Sequence, residues 1–122
     1  MAEGLTEAAA RDFAIRVAEH VRPSFPAHAD AIRAAADGRL TSDGWRRVAF
    51  AMASLHAIPG PSLTAAEKDT RGVALAAVYV IEKMASAATF NSRSPEMALE
   101  FALWRAGEID ATMLKQREKE RR

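Results

Sequence analysis

Residues 72–81 read GVALAAVYVI, ten positions without a charge, set between Arg71 and Glu82. A stretch this apolar has to be buried, and it constrains what surrounds it. Within the longer segment 64–90, Val73, Ala77, Val80, Met84 and Ala87 recur at helical spacing. Leu75, Val78, Tyr79 and Ile81 fill much of the remaining circumference, so this helix is expected to be covered on several sides. Val-Tyr-Val-Ile alone would suit a strand, but the alanine-rich flanks and the length favour helix. The uncharged run is far short of the roughly 20 residues that cross a bilayer. Thr64-Ala-Ala-Glu67 has the form of a capping box, and Pro61 discourages helix upstream of it. Gly72 costs about 1 kcal/mol relative to Ala inside a helix. It is expected either to pack closely against another helix or to mark a break after Arg71; a hinge is the sharper reading.

The rest of the chain supplies partners for this helix. A first helix is expected over about 6–21, with Ala9, Phe13, Val17 and Val21 on its core face and Glu7–Arg11 and Asp12–Arg16 as i,i+4 pairs. Pro23 and Pro26 end it. A short second helix, 26–37, has Ala27, Ala31, Ile32 and Ala35 as its apolar face, and Gly38 suits a left-handed cap. Thr41 or Ser42 can cap a third helix, 42–58, whose stripe is Trp45, Val48, Ala49, Met52 and Leu55. Pro59-Gly60-Pro61 stops it, and the central helix follows almost at once, so 42–58 and 64–90 are expected to form a central antiparallel pair. Asn91-Ser92-Arg93 reads as a loop. Ser94-Pro95 starts a fifth helix on which Met97, Phe101 and Trp104 share a face. Gly107 is expected to end it, with Asp110 capping a sixth, 111–119. The fold class is therefore all-α: a single-domain bundle of five or six helices over 1–114, followed by a charged tail, 115–122.

Composition agrees with this. The 122 residues suffice for one domain with a real core. About half (49%) are apolar, and 28 are alanine, which favours helix and close helix approach. Without cysteine there is no disulfide framework, thiol nucleophile or thiolate metal site. Thirteen arginines against four lysines suggest a GC-rich, bacterial coding sequence. Glu3, Glu7, Arg11 and Asp12 do not make a signal peptide, so a cytoplasmic protein is expected.

Chemical motifs are scarce. His20, His28 and His56 are scattered and match no helical zinc or di-iron spacing. His20 and His56 fall near helix C-termini, where an imidazole suits the dipole. Glu96 and Glu100 are one turn apart, as is common on a solvated face. Residues 37–45 (DGRLTSDGW) resemble a calcium loop only until Arg39 takes a ligand position and the terminal Glu is missing. No metal, cofactor or catalytic motif is expected. Were the chain an enzyme, Glu67, Arg71, Tyr79 and His56 would be the nearest candidates.

Two surfaces remain. Helices three, four and five are each apolar over more than one face, so Phe50, Leu99 and Leu103 either fill a central layer or form a partner-binding or self-association surface with Phe101 and Trp104 as its anchors. The leading expectation is thus a non-enzymatic protein–protein interaction protein (a regulator, inhibitor or accessory subunit), with a homodimer among its forms. The alternative is a nucleic-acid-binding regulator. Residues 115–122 hold five basic and two acidic side chains, so Lys115, Arg117, Lys119, Arg121 and Arg122 could meet phosphates. Helix five, the Gly107 turn and the last helix would then form a helix-turn-helix.

Overall fold

The computed structural model describes residues 2–38, 42–88 and 95–120, and all regular structure among them is helical. Five α-helices follow in order: α1 (Ala2–Val21), α2 (Pro26–Asp37), α3 (Ser42–Ala53), α4 (Ala65–Ala88) and α5 (Pro95–Glu120). Thr41, Phe90 to Ser94, Arg121 and Arg122 lie outside the described residues, and with them the Thr41 cap, the 91–93 loop and the Ser94 cap.

The uncharged run organises the bundle as its composition requires. α4 packs against α1, α3 and α5, while α2 bridges α1 and α3. Val73, Ala74, Ala77, Val80, Ile81 and Met84 are buried. They meet Phe13, Val17 and Val21 of α1 and Trp45, Val48 and Met52 of α3 in one continuous core. The capping box forms reciprocally: the Glu67 amide donates to Thr64 Oγ1 (3.1 Å), and the Thr64 amide donates to Glu67 Oε1 (3.0 Å). Thr70, the one buried polar side chain among the described residues, donates to the Ala66 carbonyl at 3.0 Å.

Cross-helix bonds set the directions. Asp69 meets Gln116, and Tyr79 meets Phe101, so α4 and α5 are antiparallel. Arg16 meets Asp110, and His20 meets Gln116, so α1 runs parallel to α5. Arg11 reaches the end of α2 while Arg22 reaches Asp30 near its start, making α1 and α2 antiparallel.

Several local expectations are corrected. α1 begins at Ala2, and Ala10, Ala14 and Ala18 join its core face, whereas Ala9 is half-buried. α2 buries Ala29, Ile32 and Ala36 and exposes Ala27 and Ala31. In a helix made largely of alanine, the bulky Ile32 and the preceding buried Phe25 decide which side turns inward. Gly38 is extended (φ −74°, ψ 170°) rather than left-handed. Arg11 takes over the capping, donating from Nε to the Ala36 carbonyl (2.9 Å) and from Nη2 to that of Gly38 (3.1 Å). α3 stops at Ala53 and tightens into a 3₁₀ turn, Ser54–Ala57. Ser54 Oγ donates back to the Ala51 carbonyl (2.7 Å), and Pro59 holds Ile58 extended. Gly72 neither breaks α4 nor packs closely: the helix is continuous, and an added Cβ would meet nothing within 4 Å.

The largest correction concerns Gly107. It sits inside a single 26-residue helix, so there is no sixth helix and no turn at this point. Ala102, Ala106, Ile109 and Met113 form one buried stripe at spacings of four, three and four residues, running straight past the glycine. Burial of that stripe outweighs the roughly 1 kcal/mol that glycine costs. Asp110 is accordingly not a cap. Its carboxylate receives two hydrogen bonds from Arg16, at 3.0 and 3.2 Å. Arg16 is drawn away from its expected pairing with Asp12, whereas the Glu7–Arg11 pair forms at 3.2 Å.

Candidate functional site

α5 is the outermost helix, set on α4 and only touching α1. One side of it is therefore buried, and the sequence places large apolar side chains on the other. Seven large apolar side chains are exposed among the described residues, and five are on α5: Met97, Phe101, Leu103, Trp104 and Leu114. Tyr79 of α4 joins them. Its ring meets Phe101 edge-on (centroids 6.1 Å apart, planes at 86°), and Phe101 in turn lies 5.7 Å from Trp104. Lys83 places its ammonium 5.2 Å from the Tyr79 centroid, a cation–π contact that orients the phenol ring along the α4–α5 seam. Met97, 69% exposed, and Trp104, 59% exposed, extend this aromatic cluster along α5.

The predicted surface residues thus divide. Phe101 and Trp104 belong to the cluster. Leu103 is exposed on another flank of the same helix, and Leu99 is half-buried. Phe50, 75% exposed, lies apart from them. It lines a groove of about 510 Å³ between α2 and α3 with Ala31, Ala34, Ala35 and Ala51, in which Arg47 is the only charged lining residue among the described residues. The parts of the surface that sequence reasoning missed are Tyr79, Met97 and Leu114. Tyr79 is expected from its sequence to be covered, Met97 is expected only to share a face with Phe101 and Trp104, and Leu114 is not among the expected surface residues. The signal was present in the 102–106–109–113 stripe, which turns position 97 outward once Gly107 is read as helical.

The cationic residues Lys115, Arg117 and Lys119 are exposed on the last turns of α5; Arg121 and Arg122 lie outside the described residues. Because α5 is continuous, they do not belong to a recognition helix of a helix-turn-helix. Lys115 and Lys119 border a cleft shared with the acidic Asp69 and Glu118. At its base, three helices are pinned by side-chain amide chemistry. The Gln116 amide donates to the Asp69 carbonyl (3.3 Å). That fixes its oxygen as acceptor for His20 Nε2 at 2.6 Å, so this ring nitrogen carries the hydrogen.

The four residues nearest to catalytic candidates are engaged separately. Glu67 closes the capping box, and Arg71 donates to the Ile58 carbonyl at 2.7 Å. Tyr79 faces α5, and His56 is exposed in the 3₁₀ turn. No hydrogen bond, ion pair or ring contact joins any two of them among the described residues. No three His, Asp or Glu side chains gather into a metal-holding group among those residues either. Hydrogen bonds to Asp30 and Glu19 hold the Arg22 guanidinium above its ordinary pKa, making it a strut between α1 and α2. No helix among the described residues is long and apolar enough to cross a membrane. No protein family, no curated protein and no solved structure matches this chain at a significant level.

Proposed function

We propose that this chain is a non-enzymatic cytoplasmic protein that acts by binding another protein, as a regulator, inhibitor or accessory subunit. The observation that carries the reading is the exposed Tyr79–Phe101–Trp104 cluster, continued by Met97. Isolated exposed apolar residues are ordinary, but a contiguous aromatic group on an outer helix is what partner surfaces are made of. Tyr and Trp offer large rigid area, and the positive Lys83 at the rim adds a polar edge of the kind interfaces carry.

The test compares wild type with Phe101→Glu and Trp104→Glu as baits in affinity capture from the native host at moderate salt. A stoichiometric protein held by wild type is expected to be lost by both variants while their helical circular dichroism is unchanged. Truncation to alanine is expected to weaken binding by about 2 kcal/mol per aromatic, roughly thirtyfold. Equal capture by all baits removes this surface from the argument. Capture of nucleic acid alone, released as salt rises and lost in a Lys115→Glu/Lys119→Glu variant, transfers the function to the cationic end of α5.

A further inference from the structure

α5 carries two lines of residues on opposite sides. The inner line is the buried 102–106–109–113 stripe. The outer line is Met97, Glu100, Trp104, Gly107, Ala111 and Leu114, and every member is exposed. Its spacings of three, four, three, four and three residues are those of a coiled-coil seam. At 100° per residue the two lines lie about 160° apart, so whatever covers the outer one leaves the bundle core undisturbed.

We propose that a second copy of this chain covers it, through antiparallel pairing of α5 with α5. This rests on the interaction reading above and names its partner. Two properties of the helix single out a second copy. The first is charge. Residues 95–110 hold four acidic side chains and one basic, net −3, whereas residues 111–122 hold five basic and two acidic, net +3. Arg105–Glu108 and Arg16–Asp110 neutralise each other within the chain. Glu100, Lys115, Arg117 and Lys119 are exposed and have no ion-pair partner among the described residues. An antiparallel copy sets the acidic half of each α5 against the basic half of the other. A parallel copy sets like against like.

The second property is shape. In the register that places Trp104 opposite Gly107 of the second copy, Met97 falls opposite Leu114 and Glu100 opposite Ala111. Large residues therefore face small ones across the centre of the seam, twice by symmetry. Gly107 has no atom beyond its own helix within 4 Å of where a Cβ would stand, so the notch is open to receive the indole. Side chains on a helix lean toward its N-terminus. Glu100 and Lys115 of the second copy therefore lean toward one another across the seam, and the same contact repeats at the other end.

Sedimentation equilibrium of the full chain, at concentrations up to about 100 μM and at low and high salt, tests this. The wild type is expected to show twice the chain mass, and Trp104→Glu one chain mass with unchanged circular dichroism. Glu100→Lys and Lys115→Glu are each expected to weaken dimerisation about tenfold at low salt. The double variant Glu100→Lys/Lys115→Glu is expected to restore it, because both charges have exchanged sides. A merely destabilised fold would not regain affinity in this way. Failure of the double variant to recover overturns the antiparallel register. A wild type that stays at one chain mass throughout overturns the self-pairing. If Trp104→Glu then still abolishes capture of another protein, the interaction reading survives that result; if capture persists, both fail.

Discussion

Residue-scale chemistry in this protein is decided by which backbone groups need partners. Thr64 and Glu67 satisfy two otherwise orphaned amides at the start of α4, and Arg11 satisfies two carbonyls at the end of α2. Both are solutions to the same problem of unpaired helix ends. The first is legible because its partners are three residues apart, and the second is not, because Arg11 and Gly38 are joined only by the packing of α1 on α2. Gly72 is the converse, a residue whose environment makes no demand for glycine. It is exposed and helical, with open space where its Cβ would stand, and nothing in the structure explains its presence. Gly72→Ala is therefore expected to raise stability by about 0.5–1 kcal/mol, read as a higher urea midpoint at unchanged slope. A loss of stability would show that the position does need glycine.

At the scale of the element, α5 separates local preference from tertiary stabilisation. Gly107 reads locally as a stop, yet the helix passes through it because Ala106, Ile109 and Met113 continue the face begun by Ala102. Gly107→Pro is the change that would enforce the stop. It removes an amide and crowds the Leu103 carbonyl, and is expected to cost about 3 kcal/mol or more, with loss of helical signal. A fully helical, equally stable Gly107→Pro protein would mean that the two halves of α5 do not depend on their continuity. The Arg16–Asp110 bridge contributes less, since both side chains are more than a third exposed, and pairs of that kind contribute about 0–1 kcal/mol. It sets the register of α5 on α1 more than it holds the helix in place.

The whole molecule is a bundle around α4, and its stability concentrates there. Ile81 is fully buried where α4 meets its neighbours, and Ile81→Ala is expected to cost about 2–5 kcal/mol, measured as a drop in unfolding free energy. A cost well under 1 kcal/mol would place the core elsewhere. The same geometry explains the exposed apolar surface. α4 is covered by α1, α3 and α5, whereas among the described residues α5 packs on α4, touches α1 and leaves its outer line exposed.

The sequence by itself determined the fold class, the central place of α4 with its capping box, and where α2 starts and stops though not how its end is capped, because period and the placement of proline, glycine and a local cap act over a few residues. It also offered Phe101 and Trp104 as candidate anchors, because aromatics dominate partner surfaces, and both side chains are exposed. Only the tertiary structure decided that α5 is one helix, which of its faces is inside, and that Tyr79 joins the outer cluster while Phe50 stands apart. Those outcomes depend on how helices distant in sequence share burial. Glycine's cost of about 1 kcal/mol is a local quantity, and the burial that outweighs it exists only once α5 lies on α4.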